Sequence, residues 1–252
     1  MTKPLSENSK KREMVAEILD LPTKDFIRYW YQKEYTRNSY ARGVGIAQRA
    51  MHKSIERGYD SYTSFAKVLE LGGNVGEHLP YVLHKFSSYL LTDLENTIDE
   101  DLKATLKLDG VVFQQENIES LSFGDQEFDR VLNTCLLHHV SDPEASLLEI
   151  RRVLKVGGVA DIFLSSDPGL LFRLARALGP RLQTRLRGID ELKTLMDARD
   201  HINHVGGLRR LVKHVFRRDS LKERTYPIRG LTWNSSLWHT FRIVKCDDSL
   251  FG

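Results

Sequence analysis

The sequence predicts an α/β protein built around a mostly parallel, seven-stranded sheet with flanking helices. Three observations lead to this prediction. First, the apolar run KVLELGGNVG at 67–76 passes from strand-type residues into three glycines within five positions. Second, short apolar runs alternate with helical patterns between 66 and 165, which is typical of βα units. Third, a helical pattern at 143–154 is followed by the pair Gly157-Gly158, which is expected to turn the chain into a further apolar run.

Length and composition indicate a protein with a substantial core. The chain has 252 residues, of which 41% are hydrophobic, so one domain plus an accessory element is expected. No apolar run approaches the ~20 residues of a membrane span, and residues 1–13 do not resemble a signal peptide. Cys135 and Cys246 lie far apart, which argues against a disulfide framework or a zinc site. Cytoplasm is the predicted compartment.

The elements can be assigned in order along the chain. A helical pattern at 13–57, interrupted at Pro22 and at Gly43-Val44-Gly45, predicts an N-terminal helical extension or lid over 1–60. The α/β domain is predicted over 61–252, with an accessory helical insertion at 165–205. We expect strands at 66–71, 88–93, 111–115, 128–133, 159–164, 220–228 and 237–244. We expect helices at 77–86, 143–154, 170–178, 189–199 and 207–215, with a weaker one at 98–106.

Polar residues follow the predicted strands where a ligand would bind. Ligands of open parallel sheets lie outside the carboxyl ends of the strands. Glu70 stands two residues before the first glycine, and Asp93 ends the second strand, where a carboxylate can accept hydrogen bonds from both hydroxyls of a ribose. The amide of Asn117 and the apolar side chain of Ile118 suit the edge and face of an adenine. Asn133 ends the fourth strand.

The chain resembles the class I S-adenosylmethionine-dependent methyltransferases over residues 66–165. Its motifs appear in that family's order: VLELGGNVG, LLTD, QQENIESLSF, FDRVLNTCLLHHVSDP and EIRRVLKVGGVADI. The resemblance implies a Rossmann-like sheet and S-adenosyl-L-methionine as cofactor. The competing interpretation of the fold is another nucleotide-binding α/β protein. Separately from the choice of fold, Glu70 could cap the adjacent helix and Asp93 could be a turn residue.

The resemblance also assigns roles by position. It implies that Glu70 accepts from the cofactor's amino group or orders the loop, that Asp93 holds the ribose and that Asn117 accepts from the adenine amino group. The glycines that would line the methionine and ribose are Gly72, Gly73 and Gly76. Asn74 replaces the family's usual middle glycine, and asparagine tolerates the left-handed backbone better than other residues with a Cβ.

Histidines supply the candidates for a base. A hydroxyl acceptor needs its proton removed, and histidine titrates near neutrality. His138 and His139 follow the fourth strand, and we prefer His139, while either could instead pack beneath the sheet. The segment D-H-x-N-H at 200–204 adds His201 and His204, and it resembles a segment of methyltransferases that act on sugars and glycans. A metal site from His201 and His204 at i, i+3 is an alternative, but no strong third ligand accompanies them, so no metal site is predicted.

Other acceptors fit less well. Methyltransferases of nucleic-acid bases carry an Asp/Asn-Pro-Pro-aromatic motif where this chain has Asn133-Thr-Cys-Leu, and the metal-binding acids of the catechol type are absent. Residues 150–230 contain 18 Lys and Arg against 8 Asp and Glu. This basic block is either a solvated helical surface or a site for a phosphate-bearing substrate. Few aromatic residues interleave with it, which argues against RNA.

The predicted function is therefore methyl transfer to a hydroxyl of a polar small molecule, most plausibly a sugar or glycoconjugate in polysaccharide or natural-product biosynthesis. The N-terminal region contributes lid candidates Tyr35, Tyr40 and Arg42. One alternative is N- or C-methylation of an amino sugar, quinone or other metabolite. Another is a catalytically silent cofactor-binding protein that docks a partner. A homodimer is compatible with the sequence, although nothing in it requires one.

Overall fold

The computed structural model describes residues 7–35, 37, 44–94 and 109–251. Contacts divide the chain into two compact units. The first joins Met1–Arg49 to Arg173–Ile202, and the second joins Ala50–Phe172 to Asn203–Gly252. No helix within the described ranges is long and apolar enough to cross a membrane.

A seven-stranded sheet forms the centre of the second unit. Its strands are β1 Ser64–Leu71, β2 Lys85–Asp93, β3 Val111–Gln115, β4 Phe128–Thr134, β5 Leu154–Ser165, β6 Ser220–Tyr226 and β7 Trp238–Val244. Their order is β3-β2-β1-β4-β5-β7-β6. Strands β1 to β5 run parallel, whereas β7 is antiparallel to both β5 and β6. The predicted mostly parallel sheet with seven strands is confirmed.

The α-helices of the described ranges flank the sheet or belong to the first unit. They are α1 Glu7–Leu19, α2 Thr23–Tyr29, α3 Val44–Ile55, α4 Pro143–Val153, α5 Leu170–Leu178, α6 Pro180–Leu186, α7 Asp190–Asp200 and α8 Val205–Val215. Helix α4 starts sharply because the Asp142 side chain accepts from the backbone N–H groups of Glu144 and Ala145, and Pro143 occupies the first turn.

Each face of the sheet has its own core. On one face, apolar residues of β1, β4 and β5 such as Leu69, Val131 and Ile162 pack with α4 and α8. On the other face, Val68, Tyr89 and Leu132 pack together. The first unit has a separate core of its own, in which Phe26 and Trp30 cluster with Leu192 and Met196 of α7.

Two predictions of local structure are wrong. The helix expected at 77–86 does not form: only a 3₁₀ turn, Leu79–Tyr81, follows the glycine loop. Pro80 cannot donate the N–H that a helix interior needs, and β2 already begins at Lys85 because that residue pairs with Ser64 of β1. The pair Gly157-Gly158 lies within β5 next to a register shift, so it forms an irregularity of the strand instead of a turn before it.

Two further differences concern the helices. Helix α6 was not predicted; it begins at Pro180 directly after α5, with the proline in its first turn. The weak helix predicted at 98–106 lies outside the described residues.

Candidate active site

The glycine loop leaves β1 in a backbone conformation that favours glycine. Gly72 and Gly76 have φ values of +68° and +78°, in the left-handed region. Asn74 also has a left-handed backbone, with φ 45°, a conformation that asparagine tolerates better than other residues with a Cβ. The N–H of Gly73 donates to the carbonyl of Thr92 at 3.0 Å, which bends the loop back over the end of β2.

Close packing requires the first two glycines. A Cβ on Gly73 would lie 1.9 Å from Cδ1 of Leu91, and a Cβ on Gly72 would lie 2.9 Å from Cδ2 of Leu136. Neither distance can be accommodated without moving the neighbour. The loop therefore forms a cradle of bare backbone at the carboxyl end of β1.

Asp93 stands at the end of β2, beside this loop. Its Oδ2 accepts a hydrogen bond from the backbone N–H of Asn74 at 2.9 Å. The carboxylate thus fixes the loop and remains half-buried at the edge of the sheet where ligands of such folds bind. Its role toward a ribose stays a prediction.

Two buried polar atoms on β1 and β4, close to the carboxyl ends of these strands, lack hydrogen-bond partners within the described part of the chain. They are Oε1 of Glu70 and Nδ2 of Asn133. The other oxygen of Glu70 accepts from the Tyr89 hydroxyl at 2.5 Å, and burial raises the pKa of Glu70. Because Leu71 and Asn133 are register partners on adjacent strands, Glu70 and Asn133 lie at the same end of the sheet, with their side chains on opposite faces. An acceptor, a donor and an open cradle fit a polar ligand such as S-adenosyl-L-methionine.

The two residues predicted to contact the adenine differ in their exposure. Asn117 is exposed after β3, and its Oδ1 accepts from the backbone N–H of Glu119 at 3.0 Å. Ile118 is only 6% exposed and belongs to the core cluster on the α4 side. Ile118 therefore packs into the core, and the role of either residue toward an adenine stays a prediction.

The side chain of His138 links Ser165, at the end of β5, to Asn203, just before α8. Its side chain is fully buried, with Nδ1 2.8 Å from the carbonyl of Asn203 and Nε2 3.1 Å from the hydroxyl of Ser165. Nδ1–H must donate to the carbonyl, so neutral Nε2 accepts from the serine. The Asn203 side chain donates to the carbonyls of Leu137 and Val140. Asn203 of the D-H-x-N-H segment therefore fixes the loop after β4, and His138 has no nitrogen left for a substrate proton.

The other candidate residues belong to different parts of the chain. His139 is half-buried, and its backbone N–H donates to Leu136. His201 follows the last residue of α7, and His204 is exposed just before α8. Tyr35 packs on Tyr31 with ring centroids 5.2 Å apart. Tyr40 and Arg42 lie outside the described residues.

A buried chain of polar side chains beneath the loop was missed from the sequence. His78 follows the glycine loop, and its Nε2 lies 3.0 Å from Oε1 of Glu56. Its Nδ1 lies 3.0 Å from Nδ1 of His52. Burial by itself raises the pKa of Glu56, but the hydrogen bond from His78 and the charge of Arg130 outweigh it and lower the pKa to about 2. This chain anchors the segment after the loop where a helix was expected.

Arg130 extends the buried network across the sheet. Its guanidinium donates to Glu56 at 2.7 Å and to Asp161 at 3.0 Å, and it lies over the ring of Tyr59 at 4.4 Å. Asp161 also accepts from the Tyr59 hydroxyl and from Arg242. A signal was present in the sequence, because Arg130 and Asp161 are charged residues within otherwise apolar strands, and buried charges need partners.

A basic groove opens beside α8. It has a volume of about 250 Å³ and is lined by Gly206, Arg209, Arg210, Lys213 and Trp233. Oε1 of Glu223 holds Arg209 and Oε2 holds Lys213, both at 2.7 Å. Within the described ranges Arg210 has no ionic partner.

The walls of the basic groove are tied to the buried interior. Glu223 also lies 2.9 Å from Nδ1 of His239, whose Nε2 lies 3.0 Å from the Ser236 hydroxyl. Ser236 follows the turn that carries Trp233. The N–H of Val205, which begins α8, donates to Asp167 just beyond β5. The groove therefore lies toward the carboxyl end of the parallel strands.

Comparison with known proteins shows what the central part of this chain is similar to. Residues 69–162 match the family model described as a methyltransferase domain. The chain is 29% identical over 153 residues to the hybrid PKS-NRPS synthetase poxE of Penicillium oxalicum, a match covering 57% of this chain and 4% of that protein. It is 29% identical over 176 residues to the ubiquinone/menaquinone biosynthesis C-methyltransferase UbiE of Shewanella baltica, covering 64% of this chain and 63% of that protein.

Solved structures share the fold. The CurJ carbon methyltransferase superposes with a TM-score of 0.60 at 11% identity, covering 97% of this chain and 72% of that one. Phosphoethanolamine N-methyltransferase 2 of Haemonchus contortus, in complex with S-adenosyl-L-methionine, gives a TM-score of 0.58 at 13% identity, covering 90% of this chain and 60% of that one. The predicted resemblance, its Rossmann-like fold and S-adenosyl-L-methionine as the cofactor of this family are confirmed.

Proposed function

We propose that this chain, whose residues 69–162 form a class I methyltransferase domain, transfers a methyl group from S-adenosyl-L-methionine to a hydroxyl of a polar, phosphate-bearing small molecule. A nucleotide-linked or lipid-linked sugar in polysaccharide or natural-product biosynthesis is such a molecule. The observation that supports cofactor binding best is the backbone cradle at 72–76, flanked by Asp93 and by the orphaned atoms of Glu70 and Asn133.

Each residue of the cradle has a separate task. The cofactor supplies an electrophilic methyl group on a sulfonium. Asp93 would accept from the ribose hydroxyls while its Oδ2 keeps hold of the Asn74 N–H. Gly72 and Gly73 leave room for the methionine portion to approach the backbone. Because displacement at a methyl group requires in-line approach, positioning supplies most of the catalysis.

The basic groove supports a phosphate on the acceptor. Arginine binds phosphate oxygens through a fork of parallel N–H groups. Arg210 has no ionic partner among the described residues. Glu223 holds Arg209 and Lys213 in place, so two of the three cations need little ordering before they bind. Trp233 offers a flat apolar surface beside them.

A second candidate function is C-methylation. Its support is the sequence relative UbiE, a C-methyltransferase by name, together with the engagement of both His138 nitrogens within the protein. Among the histidines proposed as base for a hydroxyl, His139 remains the first choice. An activated carbon acceptor would place a weaker demand on such a base.

Two measurements test this function in sequence. Calorimetric titration with S-adenosylhomocysteine should show binding, and absence of binding would contradict the cofactor site. Labelled S-adenosyl-L-methionine is then offered with matched acceptors, each with and without phosphate and presenting either a hydroxyl or an activated carbon. Label on the phosphorylated hydroxyl acceptors supports the proposal, whereas label on carbon selects the second candidate. Binding without transfer to any acceptor would favour the catalytically silent protein.

A further inference from the structure

Helices α5 and α6 expose leucines at a regular spacing of four residues. The side chains that lie within the first unit are Leu174, Leu178, Leu182 and Leu186, and their exposed fractions range from 49% to 80%. A surface helix of a globular protein normally turns such a row toward its core. Here α5 has no buried residue, and Thr184 is the buried residue of α6.

The same segment is strongly basic. Residues 170–187 contain five arginines, Arg173, Arg176, Arg181, Arg185 and Arg187, and no Asp or Glu. Asp197 pairs with Arg176, and Glu34 pairs with Arg187. Arg173 is exposed, and the Arg185 side chain is 66% exposed with Asp190 at 3.5 Å. Both of these ion pairs lie within the first unit, and the side chains of Arg173 and Arg185 are left exposed.

We infer that α5 and α6 bind the surface of an anionic membrane, with the leucines in the interfacial region and the exposed arginines at the lipid phosphates. A helix with an apolar face, a basic polar face and no acids is the type that lies in the plane of a lipid surface. Anionic headgroups complement the exposed positive charge, and basic residues near such a surface add to its attraction. Neither helix is long enough to cross the bilayer.

Charge complementarity favours lipid over a protein partner. A protein groove for this segment would need both an apolar floor and several acids placed opposite the arginines. An anionic lipid surface supplies both features without a fixed geometry. Other exposed leucines, such as Leu148 on α4, occur singly, and single exposed leucines need no partner.

The test uses the full chain and vesicle co-sedimentation. Vesicles of phosphatidylcholine alone are compared with vesicles of phosphatidylcholine and phosphatidylglycerol. We expect binding to the anionic vesicles, little binding to the neutral ones, and weakening as salt screens the charges. The variant Leu178→Ser/Leu186→Ser should bind about tenfold more weakly or worse, because two apolar side chains no longer leave water. Both leucines are about four-fifths exposed, so folding should be unaffected, which circular dichroism checks.

Two controls make the result specific. Leu148→Ser, at a leucine 53% exposed on another helix, should bind vesicles like the wild type. Arg173→Gln/Arg185→Gln should bind anionic vesicles more weakly than the wild type, and its binding should depend less steeply on salt. Equal binding by the wild type and the Leu178→Ser/Leu186→Ser variant would overturn the inference. So would self-association of the wild type, abolished by that variant, in the absence of any vesicle binding.

Discussion

The carboxylate of Asp93 accepts a hydrogen bond from the backbone N–H of Asn74 at 2.9 Å. This bond joins the end of β2 to the middle of the glycine loop, where Asn74 keeps a left-handed backbone. A residue proposed to hold the ribose therefore also holds the shape of the loop that would face the methionine. Changes at Asp93 should affect both tasks.

Two replacements of Asp93 should distinguish the contribution of its negative charge from its contribution to the shape of the glycine loop. Asp93→Ala should weaken S-adenosylhomocysteine binding by at least about tenfold, because one hydrogen bond to a charged group contributes roughly 1.5–3 kcal/mol. Asp93→Asn keeps an acceptor for the Asn74 N–H and should lose less. Calorimetry measures both, with Asp125→Ala, whose side chain is 75% exposed, as control. Unchanged affinity in Asp93→Ala would remove this residue from the site.

Replacing Gly73 by alanine should reduce the stability of the protein, whereas replacing Gly207 by alanine should not. The Cβ in Gly73→Ala would lie 1.9 Å from Leu91, whereas a Cβ on Gly207 would meet nothing within 4 Å. We expect Gly73→Ala to lower both stability and cofactor affinity. Gly207→Ala lies within α8 and should raise stability by about 0.5–1 kcal/mol. Urea unfolding and calorimetry check the pair, and similar behaviour of the two variants would contradict the packing of the loop.

Removal of Arg130 should be strongly destabilising. Arg130→Met leaves the carboxylates of Glu56 and Asp161 buried without their shared partner. Breaking a buried pair in this way costs about 3–5 kcal/mol. Arg210→Met, at an exposed arginine of the basic groove, should change the free energy of unfolding by less than about 0.5 kcal/mol. Urea unfolding at neutral pH compares them, and equal losses would argue against the network.

His52 should make stability depend on pH below neutrality. Burial first, and the charge of His78 second, lower the pKa of His52 to about 3. In the unfolded chain a histidine takes up its proton near pH 6.5. Its contribution is therefore fully present above about pH 6.5 and is lost as pH falls from there toward 3, by up to about 1.4 kcal/mol per pH unit.

The variant His52→Gln should flatten this dependence. Urea unfolding of the wild type and of His52→Gln at pH 7, 6 and 5 measures the difference in slope. His214→Gln is the matched control, because the His214 side chain is 62% exposed and its removal should leave the slope unchanged. Parallel pH profiles for the wild type and His52→Gln would show that His52 is not held neutral.

Local sequence was sufficient to predict the sheet and the cradle. Apolar runs with β-branched residues mark the strands, and Val111–Gln115 was placed with its observed bounds. The glycines at 72, 73 and 76 and the carboxylate of Asp93 are informative because strand ends of a parallel sheet meet at one edge. Periodicity was similarly reliable for α5, which spans the predicted 170–178.

Long-range polar contacts were not predictable in the same way. The contact of His52 with His78 joins residues 26 positions apart, and that of Arg130 with Glu56 joins residues 74 apart. No local sequence pattern predicts either of these pairings. The engagement of His138 by Asn203, 65 positions away, is another such case. A histidine placed after β4 looks the same in sequence whether it binds a substrate or a backbone carbonyl.

The position of β7 has a consequence for synthesis on the ribosome. This strand follows β6 in the chain yet lies between β5 and β6, paired with both. A nascent chain that has emerged only through Tyr226 therefore carries β6 without a partner and β5 with one open edge. An open strand edge can pair with another chain, and incompletely paired intermediates are prone to aggregation. The interval in which residues 227–244 are still being made is when this protein should depend most on chaperones.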